Sequence, residues 1–296
     1  MHGFLLLEKK SGHTSFESLT AVKRAFGTGK AGHTGTLDKF ASGLLLVLVG
    51  RGVKLASLFL NCIKEYSGVI RFGEETDTLD PEGTVIANGP VPSREKVEEA
   101  LAAFRGNILQ SPPQYSALHI NGRRAHELAR EGKTIIMEKR PVTVYDLKLV
   151  SWNPPDAEIH ARVSSGTYIR SLARDIALEA ESRAHLSALR RTAVGDFRLE
   201  NAASDTGEKT NLINALRPLD EFLFQALSIP CLHIGTAEAE SFIHGKPIES
   251  IFTGKELDMR GTTAAAVFLK SMPGALLGVL ERRNDKWGYM HVFAGI

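Results

Sequence analysis

A short aspartate-containing loop, set between glycines and followed by a long apolar run, is the feature that most constrains how this chain can fold. Residues 32–38 read Gly-His-Thr-Gly-Thr-Leu-Asp, and consecutive apolar residues occupy 44–49. The glycines let the backbone turn sharply and let another molecule approach closely, while a buried strand or helix after the loop would fix it in space. We therefore expect Asp38 to be a rigidly held active-site carboxylate.

The length and composition of the chain indicate a folded protein with a large core. Its 296 residues, 43% of them hydrophobic, favour one large domain with a small appendage, or two domains, and exclude a disordered or fibrous protein. The formal net charge of +2 does not indicate a partner by itself, because a basic face can coexist with a balanced total.

Cysteine usage and hydropathy bear on the compartment. Cys62 and Cys231 lack the spacing of a disulfide framework or a zinc site, which fits a reducing cytoplasm. The apolar amino-terminal segment is too short for a signal peptide and is typical of a strand, and no apolar stretch reaches the ~18–20 residues that span a bilayer. We predict a soluble, cytoplasmic protein with no membrane contact.

Three helices are predicted around the Asp38 loop. Thr14 and Glu17 have capping-box spacing and Gly27 is a helix stop, which predicts an amphipathic helix over about 14–26. A second helix is predicted from the cap Ser93 to the stop Gly106. A third begins near Ile169, and its apolar spacing places Arg170 near the amino end and off the buried stripe.

The remaining pattern predicts strands and a boundary. Alternation predicts strands at 66–72 and 159–163, and the chain is predicted to be helical around 212–227. Short strands at 263–269, 276–281 and 289–293, with a turn at Asn284-Asp285, indicate a small β domain. We place the boundary near residue 228, which gives domains over 1–227 and 228–296.

Residues 121–140 are the best candidate for a basic arm. Their basic side chains outnumber the three glutamates, although a solvated helix face explains the same spacing equally well. The basic residues are Arg123, Arg124, Arg130, Lys133, Lys139 and Arg140.

Partial matches to nucleotide-binding and metal-binding motifs lack the surrounding residues that those sites require. Residues 27–32 match GxGxxG, but a helix rather than a strand precedes them, and no P-loop Ser or Thr follows Lys30. Asp77, Asp80 and Glu82 lack EF-hand spacing and are interpreted as turn caps. The histidines form no HxxxH or HExxH pair, so we predict neither a metal nor a cofactor.

Tyr66 and Arg170 indicate a site only in combination with Asp38. A strand tyrosine such as Tyr66 is usually a core aromatic, and a helix-end arginine such as Arg170 is usually a surface cation. Together the three would give a charge-fixed carboxylate with a stacking surface, which suits metal-free chemistry on a nucleoside.

A series of motifs, in order along the chain, resembles the TruB family of tRNA pseudouridine-55 synthases over roughly residues 3–220. The motifs are His33-Thr34-Gly35-Thr36-Leu37-Asp38, Ala41-Ser42-Gly43-Leu44, Lys64-Glu65-Tyr66, Ser111-Pro112-Pro113-Gln114-Tyr115-Ser116-Ala117, Gly122-Arg123-Arg124-Ala125, Gly166-Thr167-Tyr168-Ile169-Arg170-Ser171-Leu172-Ala173-Arg174-Asp175 and Leu189-Arg190-Arg191-Thr192.

The resemblance implies isomerisation of uridine 55 in the tRNA T loop, in which the N1–C1′ bond breaks, the uracil turns and a C5–C1′ bond forms. It implies that Asp38 is the catalytic carboxylate and Arg170 its partner, which would keep it ionised at neutral pH. Tyr66 would stack on the target base and is a candidate to take the C5 proton. Whether Asp38 attacks C1′ or removes the 2′ proton stays open.

The resemblance also implies residues that bind the substrate. His33 would stack in the T loop as the uridine leaves it, and Leu189 would pack beside the everted base. Lys64 is expected to contact RNA, as are the arginines of the insertion at 121–140, which would fold onto the tRNA. These arginines are Arg123, Arg124 and Arg130.

The implied fold is α+β, a mixed and mainly antiparallel sheet with flanking helices. The small carboxy-terminal β-barrel-like domain resembles, more weakly, a PUA RNA-binding module. The chain departs from the family pattern at Lys10 and Lys39, where proline is usual, and at His119 and His126, where lysine and tyrosine are common. These departures remove no reacting group and bear on loop rigidity and RNA fit.

The leading hypothesis is a monomeric, stand-alone tRNA pseudouridine-55 synthase that needs no obligate protein partner. The same catalytic domain also occurs as the enzyme subunit of guide-RNA particles, but the basic insertion favours the stand-alone type. A tRNA-binding folding chaperone, with secondary or lost catalysis, is the alternative from another class.

Overall fold

A computed structural model describes residues 2–116, 118–120, 123, 124, 131, 137–205, 208–252, 259 and 261–293. Most of its strands lie in one large sheet. The strands of that sheet are β1 (Gly3–Lys9), β2 (Ala31–His33), β3 (Ser42–Val49), β4 (Lys64–Phe72), β7 (Gly106–Gln110), β10 (Arg140–Asn153), β11 (Asp156–Val163), β12 (Ala184–Val194), β13 (Phe197–Arg198) and β14 (Ala203–Ser204).

Two hairpins lie outside the large sheet, and a second sheet follows near the carboxyl end. The hairpins are β5 (Glu74–Thr76) with β6 (Val85–Asn88) and β8 (His119–Ile120) with β9 (Arg123–Arg124). The second sheet contains β15 (Cys231–Ile234), β16 (Ala264–Leu269), β17 (Leu276–Arg283) and β18 (Lys286–Val292).

Helices flank both sheets. The α-helices are α1 (Ser15–Phe26), α2 (Arg94–Ala103), α3 (Ile169–Glu179), α4 (Lys209–Asn214), α5 (Glu221–Ala226) and α6 (Thr236–Ile243), and 3₁₀ turns occupy Gly50–Phe59, Leu199–Asn201 and Ile248–Ser250. No helix in these described ranges is both long and apolar enough to cross a membrane.

The large sheet is mixed and mainly antiparallel, as the sequence predicts. Its order is β14-β1-β3-β12-β4-β11-β10-β7, with β2 paired to β3 and β13 to β12. The pairs β1–β14 and β3–β12 are parallel, and the others are antiparallel. The α+β fold class is therefore confirmed.

The apolar run at 44–49 is a strand buried on both faces, which explains why it does not alternate with polar residues. Leu45 and Val47 pack with α1 on one face, whereas Leu44 and Leu46 pack on the other against α5 and the second sheet. The loop that carries Asp38 precedes this strand and is anchored by its burial.

Local signals that the sequence displays fix α1 as predicted. Thr14 Oγ1 accepts a hydrogen bond from the Glu17 amide and the Glu17 side chain accepts one from the Thr14 amide, so the capping box is complete. Gly27 ends the helix in the left-handed conformation at φ 58°. The helices predicted from Ser93 and near Ile169 are α2 and α3.

The prediction of helix around 212–227 is wrong in its continuity. Two short helices, α4 and α5, occupy this region with a break between them. Pro218 lies in the break, and a proline lacks an amide donor and disfavours helical backbone at the preceding residue. Asp220 then caps α5 by accepting a hydrogen bond from the Leu223 amide at 3.3 Å.

The predicted small β domain corresponds to the second sheet. Strands β16 and β17 agree closely with the predicted ones, β18 begins three residues before its predicted start, and β15 was not among the predicted strands. Asn284 and Asp285 form the predicted turn between β17 and β18 with φ of 48° and 62°. Phe268 of this sheet packs against Phe224 of α5, with ring centroids 5.8 Å apart. The second sheet is thus attached to the larger one through a shared apolar cluster.

Candidate active site

The centre of the site is an ion pair between Asp38 and Arg170. Arg170 Nε lies 2.9 Å from Asp38 Oδ2, and Nη2 donates to Asp38 Oδ1 at 3.2 Å. The side chain of Arg170 is only 5% exposed, whereas that of Asp38 keeps 40% of its surface open. This bidentate contact fixes the direction of a carboxylate that another molecule can reach.

Burial raises the pKa of the Asp38 carboxyl above its usual value. The Arg170 guanidinium opposes the rise through its charge and its hydrogen bond, while the nearby charge of Asp80 adds to it. The carboxyl is thus held in one orientation by a cation, in surroundings that solvate its charge less well than water does.

The sequence pattern placed Arg170 off the buried stripe of its helix, and that expectation is wrong. Arg170 is in the first turn of α3 and its guanidinium is buried because backbone and carboxylate oxygens surround it. Nη1 donates to the carbonyl oxygen of Thr78 at 2.7 Å, and Nη2 donates to that of Tyr115 at 2.9 Å. Apolar spacing cannot detect a cation that is buried by such partners.

The buried side chain of Gln110, at the end of β7, positions the start of α3. Gln110 Oε1 accepts from the Tyr168 amide at 2.8 Å, and Nε2 donates to the Tyr168 carbonyl at 3.1 Å. Tyr168, which leads into α3, is therefore attached to the sheet through both its amide and its carbonyl group. This attachment fixes the backbone of the first turn of α3, from which the Arg170 side chain extends to Asp38.

Asp80 is a second carboxylate on Arg170, and the sequence interpretation missed that contact. Its Oδ2 lies 3.1 Å from Arg170 Nη1, and its side chain is only 7% exposed. Asp80 also caps its turn, as predicted, because Oδ1 accepts from Thr78 Oγ1 at 2.6 Å and from the Glu82 amide at 3.0 Å. The buried Arg170 thus lies between two carboxylates.

The loop that carries Asp38 is held from below by α1 and β1. Ser15 Oγ accepts from the Leu37 amide at 3.0 Å and donates to the Leu37 carbonyl at 3.1 Å. The buried ammonium of Lys9 donates to the Lys39 carbonyl at 3.3 Å. Both neighbours of Asp38 are therefore fixed through their backbone.

Arg191 holds the same loop from the opposite side, and the sequence interpretation gave it no role. Its side chain is buried and donates to carbonyl oxygens of Leu44 at 2.7 Å, Gly35 at 3.0 Å and Thr36 at 3.4 Å. The backbone of Arg191 also passes close to Gly43, where a Cβ would lie 2.3 Å from the Arg191 carbonyl oxygen. Only glycine fits that approach, at a φ of +106°.

Tyr66 and Leu189 lie on one face of the large sheet, below the Asp38 loop. Leu189 pairs with Gly68 and Arg191 pairs with Tyr66 in the β4–β12 register, so these side chains share a face. Tyr66, Leu189 and Leu37 belong to one buried cluster. A planar ring and an apolar side chain therefore lie under the loop, which is an arrangement suited to a base.

His33 and Lys64 border the loop in a cationic environment. Burial lowers the pKa of His33, and the charge of Arg191 lowers it further. The same two causes lower the pKa of Lys64 to about 8, and Lys64 Nζ donates to the Cys62 carbonyl at 2.9 Å. His33 Nδ1 is buried and has no hydrogen-bond partner in the part of the chain described above.

Tyr168 is a further aromatic residue near the ion pair that the sequence interpretation did not select. Burial raises the pKa of its phenol, and the charges of both Arg170 and Asp38 act on it. The signal for it was present in the sequence, because Tyr168 precedes Arg170 by two residues in the same motif.

The predicted RNA-binding arginines are described only in part. Arg123 is exposed, and its Nη1 donates to Glu131 Oε2 at 3.2 Å. Arg124 is known by its backbone pairing with His119 in the β8–β9 hairpin. Arg130 lies outside the described residues. Where the side chains are described, no group of three or more His, Cys, Asp or Glu residues is placed to hold a metal ion.

Solved structures share this fold. A chain from the crystal structure of a Cbf5-Nop10-Gar1 complex superposes with a TM-score of 0.68 at 22% identity, over 97% of this chain and 82% of that one. A chain from the structure of an H/ACA RNP bound to a substrate RNA containing 2′-deoxyuridine has a TM-score of 0.65 at 20% identity, with the same coverage. At these identities the likeness concerns the fold alone.

Sequence comparison identifies the family. Residues 23–169 match the model of the TruB family pseudouridylate synthase, amino-terminal domain. The chain is 48% identical to tRNA pseudouridine synthase B of Borreliella afzelii and 37% identical to that of Borrelia garinii subsp. bavariensis, each over 99% of both proteins. It is 39% identical to that of Zymomonas mobilis over 96% of both. The chain belongs to the TruB family of pseudouridylate synthases.

Proposed function

We propose that this enzyme converts uridine 55 in the T loop of tRNA to pseudouridine. The observation that carries the proposal is the accessible Asp38 carboxylate, held by the buried Arg170 in a bidentate contact. The full-length relatives named tRNA pseudouridine synthase B support tRNA as the substrate.

The reaction begins when the target nucleotide leaves its stack. Eversion costs a few kcal/mol, which contacts to the base and the backbone must offset. Tyr66 stacks on the everted uracil, Leu189 packs beside it, and His33 fills the space that the uridine leaves in the T loop. Lys64, with Arg123, Arg124 and Arg130 of the insertion at 121–140, binds the RNA backbone.

Asp38 then acts on the sugar. Cleavage of the N1–C1′ bond develops positive charge at C1′, and a fixed carboxylate stabilises that charge or captures the carbon. The uracil turns while it stays bound, and C5 bonds to C1′ as any bond between Asp38 and C1′ breaks. The C5 proton leaves with Tyr66 as candidate acceptor, and N1 takes up a proton, so the proton count is unchanged. Product and substrate are isomers, so the step needs no co-reactant.

The proposal extends to the domain arrangement. Residues 1–227 form the catalytic domain, and residues 228–296, which contain the second sheet, form a PUA-like module that binds the same tRNA. The separation of the two sheets and the turn near residue 228 support this division. We further propose that the enzyme acts as a monomer in the cytoplasm, without an obligate protein partner.

Tritium release tests the catalytic proposal. A tRNA transcript carrying C5-tritiated uridine is incubated with the native protein and with Asp38→Asn, and transcripts with U55 replaced by cytidine serve as the site control. Release by the native protein alone, lost with the replaced transcript, supports the proposal. Tight tRNA binding without release by either protein would indicate the folding chaperone instead.

The two routes open to Asp38 are also distinguishable. Removal of the 2′ proton breaks a C–H bond, whereas attack on C1′ does not. A primary isotope effect on single-turnover rates with C2′-deuterated uridine therefore indicates proton removal, and its absence indicates attack on C1′.

A further inference from the structure

The segment between β1 and α1 lies directly along the loop that carries Asp38. Ser11 Oγ donates to the Phe40 carbonyl at 2.6 Å, and the Gly12 amide donates to the Lys39 carbonyl at 2.9 Å. The segment and the loop therefore form one continuous edge of the site.

The backbones of two lysines, Lys10 and Lys39, are neighbours at this edge. The Lys9 ammonium donates to the carbonyl oxygens of both Lys10, at 3.1 Å, and Lys39, at 3.3 Å, so those two residues are neighbours in space. Lys10 is exposed, and the side chain of Lys39 is 54% exposed. Lys39 directly follows Asp38 in sequence.

The ammonium of Lys39 extends over the turn that holds Arg170. It lies 3.8 Å from Glu82 Oε1, and the Glu82 amide in turn donates to Asp80. Both side chains of the Lys39–Glu82 pair are about half exposed, so the pair is weak and screened by salt. An incoming phosphate can therefore compete for the lysine.

Two other carboxylates near this edge, those of Glu17 and Asp205, accept hydrogen bonds from neighbouring groups of the chain. The Glu17 carboxylate accepts from the Thr14 amide and hydroxyl at 2.7 and 2.8 Å. The Asp205 side chain is buried and accepts from Ser18 Oγ at 2.7 Å. Glu17 nevertheless stays exposed and charged near Lys39, so an incoming phosphate competes with the carboxylates of Glu17 and Glu82 for the lysine.

We propose that Lys10 and Lys39 form a phosphate-binding lip that holds the RNA backbone next to the everted nucleotide. The inference rests on the proposed function, because the ligand is the backbone of the same RNA. Ammonium groups on flexible stems bind phosphates as point charges, and each neutralised phosphate releases counterions.

The double variant Lys10→Gln/Lys39→Gln tests the lip. We expect the Kd for a tRNA transcript to rise about tenfold near 0.1 M salt, with a salt slope of log K that is shallower by about 1.4 to 1.8. The single-turnover rate at saturating enzyme should stay within about twofold of the native rate, since neither lysine contacts the Asp38 carboxylate. The melting temperature should not change, because both side chains are exposed.

Two further variants complete the test. Lys10→Arg/Lys39→Arg keeps the charges and should restore affinity and slope, while Lys96→Gln/Lys148→Gln removes two exposed lysines elsewhere and should change neither. An unchanged Kd and slope in the lip variant would overturn the proposal, as would a fall in the saturated rate at constant Kd. If the native protein forms no pseudouridine in tRNA, the proposed function itself fails, which is a separate outcome.

Discussion

Asp80 offers the sharpest test of how the ion pair is supported. Asp80→Asn keeps the shape of the side chain and removes its charge. The asparagine either turns its amide nitrogen toward Arg170 Nη1, which sets two donors against each other, or gives up hydrogen bonds to Thr78 and Glu82. In the first arrangement the buried guanidinium loses a charge-assisted bond, and in the second it keeps a bond to a neutral oxygen, but in both it loses the negative charge of Asp80.

The magnitude follows from the loss of that charged partner. A buried hydrogen bond to a charged group contributes about 1.5–3 kcal/mol, so we expect the free energy of unfolding to fall by about 2–3 kcal/mol. That loss lowers the melting temperature by about 5 °C or more. If Arg170 shifts and Asp38 is no longer correctly placed, the activation free energy of the chemical step rises by a similar amount. That step then slows about 10- to 100-fold.

The assay separates turnover from binding. Asp80 is 5% exposed and cannot reach RNA, so single-turnover tritium release should slow while the Kd for tRNA stays unchanged. Asp77→Asn is the matched control, because Asp77 Oδ1 caps the same hairpin through the Thr84 amide at 2.8 Å without touching Arg170. The reasoning is refuted if Asp80→Asn keeps the native rate, or if it weakens RNA binding at an unchanged rate.

Three further outcomes are expected. Activity that needs ionised Asp38 is lost as pH falls through the raised pKa of its carboxyl. Arg170→Gln should move this acid limb of the pH–rate profile to higher pH, because it removes the cation that opposes the rise in the Asp38 pKa. An acid limb that stays in place would contradict this prediction. Gly43→Ala should lower the free energy of unfolding by about 3 kcal/mol or more, measured by thermal melts. Gly29→Ala should hardly change it, because a Cβ at Gly29 meets no atom within 4 Å. Equal melting temperatures would contradict the close approach of Arg191 to Gly43. Arg123→Gln/Arg124→Gln should weaken tRNA binding and reduce its salt slope by about 1.4 to 1.8 at an unchanged saturated rate, and an unaltered slope would remove their phosphate contact.

Sequence reasoning succeeded where a short stretch of chain carries its own signal. The capping box at Thr14 and Glu17 and the stop at Gly27 define α1, because the partners are only a few residues apart. The paired positive φ values at Asn284 and Asp285 likewise follow from residues that tolerate that backbone. The prediction of continuous helix at 212–227 failed because it took no account of Pro218.

The environment of the site was harder to predict because it depends on distant contacts. Arg170 is 90 residues from Asp80 and 132 from Asp38, and no local pattern reports such pairings. The turn-capping role predicted for Asp80 is correct for Oδ1, but its second oxygen, Oδ2, accepts a hydrogen bond from the guanidinium of Arg170 in α3. The role of Arg191 was not predicted because its partners are backbone carbonyl oxygens, which every residue has and which leave no pattern in the sequence.

The same dependence on carbonyl oxygens explains how the Asp38 loop keeps its place although a lysine, not a proline, follows Asp38. A proline restricts φ in its own residue, whereas here Lys9 and Gly12 donate to the Lys39 carbonyl and Ser15 binds both backbone groups of Leu37. These contacts use the backbone of the loop and leave the Lys39 side chain at the surface. Loop position is therefore set from beneath by a buried ammonium and a serine, so the residue after Asp38 need not be a proline, and the Lys39 side chain remains exposed at the edge of the site.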